Sequence, residues 1–332
     1  MFRWLARLID SIRRLLGLSP ASPPSSRSGS TGNTGSHVTG PPSILAEPDI
    51  LTNTIRVLGT RGSGKTTYLA ALLRNPTNDQ ESSPIKRIVP MGSGAERLIE
   101  QAYNILQEGK YFDPTPLAPQ AATADDIGFR IEIYLPRRRW SEPQDGTVTL
   151  SLFTKDYSGE FLSDLRLHSS DLVDDYLADC AASQGLMLLV DGTNLEEDGQ
   201  LEMNLPIFLR RLDQNAGGRG WQGRIAFVVA KCEQTRLYLK RQELGDEELV
   251  RRLFPKAVAT LGASCPQDAE LGYFALSSFG VLGGLDPEPN VKMVSNAQGE
   301  YRATIRNQRV WKPFGLAAPL YWLCRGERHP NL

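Results

Sequence analysis

Histidine, paired cysteine, a dominant charge sign and long apolar runs are all scarce in this chain. Only three histidines occur in 332 residues, and His37 falls in a low-complexity stretch, so a zinc site or a histidine-based triad has little material to use. The four cysteines, Cys180, Cys232, Cys265 and Cys324, lie far apart with no C-x-x-C pair, as expected of reduced thiols in a cytosol. Lysine plus arginine (37) almost balances aspartate plus glutamate (38). The net charge of −1 therefore gives no global pull toward a polyanion, and no nucleic-acid partner is expected. No apolar run reaches the roughly 20 residues that a membrane-spanning helix needs.

What is present begins with a glycine-rich stretch. Gly59-Thr60-Arg61-Gly62-Ser63-Gly64-Lys65-Thr66-Thr67 fits G-x-x-x-x-G-K-[ST] at every fixed position. The chemistry asks for these residue types at this spacing: glycines let backbone N–H groups wrap a triphosphate with no Cβ in the way. Lys65 then reaches the β- and γ-phosphates, Thr66 places its hydroxyl on Mg²⁺, and the helix opened here turns its positive dipole end to the anion. The flanks agree, with Thr54 to Leu58 reading as a β-branched strand and Tyr68 to Leu73 as the first turns of a helix.

Residues 1–18 divide on a helical wheel. Trp4, Leu5, Leu8, Ile9, Ile12, Leu15 and Leu16 share one face, and Arg3, Arg7, Asp10, Arg13 and Arg14 the other. Such a segment can lie in an anionic membrane surface, dock in a partner's groove, or pack on its own domain. Residues 19–49, rich in Ser, Pro, Gly and Thr, read as a disordered linker. Residues 50–324 read as one globular domain and 325–332 as a tail. The expected location is the cytoplasm, with peripheral attachment at the inner face of the membrane where residues 1–18 supply it.

Within the domain, Asn75 to Pro90 reads as polar and turn-rich, and Ala95 to Leu106 as a helix ended by Gly109. Gly128–Leu135 and Thr147–Phe153 alternate as two strands of a hairpin, whose basic turn Arg137-Arg138-Arg139-Trp140 reads as a solvated tip. The second strand runs into Asp156-Tyr157-Ser158-Gly159-Glu160. A carboxylate there can hold Mg²⁺ through water, and Gly159 leaves a backbone N–H for a γ-phosphate. D-x-x-G alone is often just a turn; after a strand and downstream of a phosphate loop it is a candidate switch.

Further on, Leu186–Val190 reads as an apolar strand ending at Asp191, and Leu205–Leu212 as a helix. Ile225–Val229 is a buried strand delivering Ala230-Lys231-Cys232-Glu233, and Tyr273–Leu276 another delivering Ser277-Ser278. Strand C-termini of a doubly wound sheet form the ligand edge, so these loops meet at one site. Val291–Ile305 reads as a polar hairpin and Leu316–Leu323 as a closing helix.

In that order, the phosphate loop, the hairpin into D-x-x-G, the apolar strand, A-K-x-E and Ser277-Ser278 resemble the five-motif GTPase domain of the Ras-like, translation-factor-related class. G-x-x-G-S-G-K-T-T-Y-L followed by D-Y-S-G-E is similar to the bacterial double-GTPase families of conflict and signalling operons. The resemblance spans Ile50 to Leu323. It implies an α/β, three-layer P-loop NTPase fold: a mostly parallel sheet with one antiparallel hairpin strand, behind an amphipathic helix and a disordered linker. It also implies a Mg²⁺-dependent nucleotide-state switch binding GTP and GDP, with a protein effector or activating partner. Lys231, Glu233, Ser277 and Ser278 then face the base and nucleoside, while Lys65, Gly159 and Glu160 act on the γ-phosphate.

Three departures qualify this. Ala230 replaces the family's bracing Asn, and Glu233 its base-reading Asp. Glu160 replaces the Gln that orients water, which implies slow hydrolysis or outside help. The first-switch threonine is Thr115 or Thr123. An ATPase stays open, because the phosphate loop does not read the base, and so does a nucleotide-binding scaffold without turnover.

Overall fold

The computed structural model describes residues 54–60, 62–74, 85–108, 126–135, 146–155, 171–218, 220–283, 286–295 and 301–329, with the single residues 162, 165 and 332. The chain divides into two units, Met1–Glu47 and Pro48–Leu332, and all the described residues lie in the second. The expectations for residues 1–18, residues 19–49, Thr115, Thr123 and the Arg137–Trp140 turn lie outside the described residues.

The longest apolar runs form the middle of a seven-stranded sheet. Its strands are β1 (Thr54–Gly59), β2 (Ile85–Met91), β3 (Asp126–Leu135), β4 (Gly146–Lys155), β5 (Gly185–Asp191), β6 (Arg224–Ala230) and β7 (Glu270–Ala275), in the order β2-β3-β4-β1-β5-β6-β7. β1 lies between β4 and β5 and is parallel to both, and β5-β6 and β6-β7 are parallel as well. Only β3 runs against its neighbours, pairing antiparallel with β4 from Asp126↔Lys155 to Leu135↔Gly146 and with β2 on its other side. The mostly parallel sheet with one antiparallel hairpin strand is thus as expected.

Both faces of the sheet are covered, which explains why β5 is buried along its whole length. Alternation decides which side chain goes where: Met187 and Leu189 join one core with Ala226 and Val228, while Leu186, Leu188 and Val190 join the other with Ile225 and Phe227. Helices α1 (Lys65–Arg74), α2 (Ser93–Glu108) and α7 (Ala318–Arg325) supply the first core through Leu69, Leu72, Leu98, Leu320 and Leu323. Helices α3 (Asp171–Ala182), α4 (Glu197–Asn215), α5 (Thr235–Leu253) and α6 (Pro255–Ser264) supply the second through Leu177, Leu205, Phe208, Leu249 and Leu261. The result is three layers, helix–sheet–helix.

Two elements differ from the sequence reading. Asn75 to Pro90, read as turn-rich, contains β2: Ile85 is buried against the sheet, while Lys86 and Arg87 point outward. A proline is tolerated in β2 because it is an edge strand. The helix expected from Leu205 starts at Glu197, with Pro206 inside it. The hairpin expected over Val291–Ile305 is present as β10 (Val291–Ser295) and β11 (Tyr301–Ile305), after the two-residue strands β8 (Val281–Leu282) and β9 (Glu288–Pro289). The buried Tyr68 hydroxyl of α1 donates to the Leu316 carbonyl at 3.1 Å, tying the phosphate-loop helix to the closing segment.

Candidate nucleotide site

The C-terminal end of β1 feeds the glycine loop. The Thr60 N–H donates to the Leu189 carbonyl of β5 (3.2 Å) and the Ser63 N–H back to the Thr60 carbonyl (3.1 Å), so the loop folds over on itself. Gly62 and Gly64 sit at φ +78° and +86°, where a side chain would be strained. A Cβ on Gly59 would come within 2.6 Å of Ser63 Oγ, so any other residue here would press on the loop. Ser63 is 1% exposed, and its hydroxyl has no hydrogen-bond partner among the described residues.

The first α1 hydrogen bond from the loop runs from the Tyr68 N–H to the Gly64 carbonyl at 2.7 Å. The amides of Lys65, Thr66 and Thr67 therefore precede the helical ladder, where helix N–H groups look outward for an acceptor. No acidic side chain stands in that first turn. An anion is thus favoured there by dipole and amides together. Arg61 lies outside the described residues.

The end of β5 adds a cluster that the sequence reading passed over. Glu197, in the first turn of α4 and 4% exposed, accepts the Thr60 hydroxyl (2.9 Å) and the Asp191 N–H (3.4 Å) on Oε2, and the Asn194 amide (3.2 Å) on Oε1. Burial pushes its carboxyl above the usual range, against the pull of the Thr60 hydrogen bond. Asp191 accepts the Thr193 N–H (2.8 Å) and hydroxyl (2.7 Å) on Oδ1 and takes the Lys231 ammonium on Oδ2 at 2.5 Å. The sequence shows only a strand-ending Asp followed by acids at a helix start, which does not point to Thr60.

The β6 and β7 ends supply the rest. Lys231 sits at φ +60°, the only non-glycine with positive φ among the described residues. That conformation is strained for a side-chain-bearing residue. Lys231 and Glu233 form no solvent-facing ion pair: Lys231 goes to Asp191, whereas Glu233 is 3% exposed. Glu233 Oε2 accepts the hydroxyl of the fully buried Ser277 at 2.6 Å. The Ser277 Oγ in turn accepts the Phe279 and Gly280 N–H groups at 3.2 and 2.8 Å. Burial raises the Glu233 carboxyl above the ordinary range, opposed by Ser277, its own N–H and Lys231. Ser278 lies beside it, its carbonyl taken by the Trp311 indole N–H at 2.9 Å.

β4 runs parallel to β1 and ends at Lys155, so the chain leaves it at the same sheet edge as the glycine loop. Asp156, Gly159 and Glu160 lie outside the described residues. Among the described residues no group of three His, Cys, Asp or Glu side chains is placed to hold a metal. Mg²⁺ on a nucleotide needs only one or two protein ligands beside phosphate oxygens, and Thr66 in the first turn of α1 is of the right kind and place.

The fold is a three-layer α/β fold of the P-loop NTPase kind. The sheet order, the antiparallel β3 and the glycine loop between β1 and α1 carry that statement. No protein-family model matches the sequence, and no curated protein does. Among solved structures the chain is similar to an ADP-ribosylation-factor-like GTP-binding protein, the small COPII coat GTPase SAR1 of Encephalitozoon cuniculi in complex with GDP. That likeness has 11% identity over 68% of this chain and 69% of that one, with a TM-score of 0.27. It is also similar to the signal recognition particle receptor SRb-GTP/SRX complex of Chaetomium thermophilum, at 12% identity over 70% of this chain and 95% of that one, with a TM-score of 0.34.

Proposed function

We propose that this protein is a Mg²⁺-dependent GTP-binding switch with slow GTP hydrolysis, working in bacterial signalling or conflict systems as the double-GTPase resemblance suggests. The observation that carries it is the meeting, at one sheet edge, of a glycine cradle, with Gly62 and Gly64 at positive φ and a Cβ on Gly59 blocked by Ser63 Oγ, and the buried Glu233–Ser277 pair. The cradle fits phosphate. Its glycines, the α1 amides and Lys65 supply donors and positive charge, and the first turn of α1 carries no acidic side chain.

The Glu233 carboxylate fits a guanine edge better than an adenine edge. Guanine presents N1–H and N2 donors to a carboxylate, whereas adenine N1 is an acceptor and would face its charge with a lone pair. Ser277 fixes the orientation of the longer Glu side chain, which offsets the extra methylene relative to Asp. Lys231 would lie along the base, held by Asp191. Bound Mg²⁺ supplies neutralisation of the β- and γ-phosphate charge. Thr66 and Asp156 would hold it, and Gly159 and Glu160 would respond to the γ-phosphate.

Displacement of a fluorescent triphosphate by GTP and by ATP tests the reading. GTP is expected to compete far better, with Glu233→Ala erasing the difference and Lys65→Ala abolishing binding of both. Equal displacement by GTP and ATP, unchanged in Glu233→Ala, supports an ATPase or scaffold instead.

A further inference from the structure

We propose that Glu197 is a positioning residue that couples the phosphate loop to the base-reading loop, so that a bound nucleotide is gripped at both ends by one connected unit. The inference rests on the nucleotide reading above and adds to it a residue that touches neither phosphate nor base. Its basis is a continuous chain of polar contacts across the sheet edge. Thr60 of the glycine loop donates to Glu197, Glu197 accepts the Asp191 backbone N–H, and Asp191 holds the Lys231 ammonium.

Three features show that this chain is more than incidental polar contact. Glu197 and Asp191 are both buried, and a buried carboxylate is costly unless donors surround it. Each has them: every hydrogen bond given to Glu197 comes from a different segment, namely the glycine loop, the β5 end and the Asn194 turn. Thr60 is already anchored to the sheet through its N–H on the Leu189 carbonyl, so its hydroxyl bond to Glu197 is a second, separate tie. Finally, Ala230 at the end of β6 has no polar side chain with which to brace the following loop. The Lys231–Asp191 pair and the Glu197 link behind it take that place.

Release of a fluorescent GDP from the full chain, with competition by inorganic tripolyphosphate, tests the coupling. Tripolyphosphate engages the phosphate loop alone, whereas GDP spans both loops. Glu197→Met, which keeps the side-chain length and removes the acceptors, is expected to speed GDP release about tenfold. It should leave tripolyphosphate affinity unchanged. Glu197→Gln, which keeps one acceptor oxygen, should restore most of the residence time. Thr60→Val and Lys231→Met should be non-additive for GDP release in the parent, and additive once Glu197→Met is present.

Additive effects in the parent overturn the proposal, as does equal weakening of tripolyphosphate and GDP by Glu197→Met, which would mark Glu197 as a prop of the phosphate loop only. A parent that binds tripolyphosphate but no GDP overturns the guanine-nucleotide reading and this inference with it. A parent that binds GDP while the cycle is additive overturns this inference alone.

Discussion

A glutamate hidden behind a serine sets the pH behaviour of the site. Burial holds the Glu233 carboxyl above the ordinary carboxylate range, so it takes up a proton sooner than an exposed acid as the pH falls. Protonation turns an acceptor for guanine N1–H into a donor. Guanine affinity is therefore expected to be full above that raised pKa and to fall as the pH drops through it, while Glu233→Gln binds more weakly and is flat on the acid side. Calorimetry across a pH series checks both. At the other end of the nucleotide, Gly59→Ala would force a methyl to 2.6 Å from Ser63 Oγ. It is expected to lower triphosphate affinity about tenfold or more, and Ser63→Ala in the same chain should recover part of it. The strand, glycine loop and helix from Thr54 to Arg74 were legible from spacing alone. Glu197 was not, because nothing in the sequence ties an acid at a helix start to a threonine 137 positions earlier.

Elements here are held by contacts from elsewhere in the chain as well as by their own caps. Helix α6 begins with Pro255 at its first turn and has no side-chain cap from Phe254. Asp198 of α4 supplies the missing acceptors, taking the Ala257 and Lys256 N–H groups at 2.8 and 3.2 Å. Asp198→Ala is expected to lower unfolding stability by about 1–2 kcal/mol in a denaturant titration, with Asp198→Asn recovering part of it. The free edge of β7 is handled in the same way. The break of α5 at Gly245 (φ 76°, ψ 172°) precedes Asp246, whose carboxylate takes the Ala275 N–H at 3.2 Å. Arg328 takes the Tyr273 carbonyl at 2.7 Å. With two ladder positions occupied, the edge resists pairing with another strand. Strand β2 escaped the sequence reading because Lys86, Arg87 and Pro90 interrupt its apolar pattern; pairing with β3 is what makes it a strand.

For the whole molecule, the division after Glu47 matches a nucleotide site built wholly from later residues. Deleting residues 1–47 is expected to leave GTP affinity and the thermal unfolding midpoint of the remainder unchanged. Sedimentation with anionic vesicles should retain the full chain and release the truncated one, and equal recovery of both in the supernatant would remove the membrane role proposed for residues 1–18. The sequence by itself determined the place of the glycine loop, the class of the fold and most of its strands. These are local facts: a fixed glycine spacing, and apolar runs long enough for strands buried on both faces. The tertiary structure alone decided which polar groups meet. Parallel strands separated by long crossovers bring Thr60, Asp191, Glu197 and Lys231 to one edge, and bury Glu233 against Ser277, 44 positions away. Burial then changes what those residues can do, because a carboxylate's affinity for a proton or a base edge follows its desolvation and its donors, and both come from segments remote in sequence.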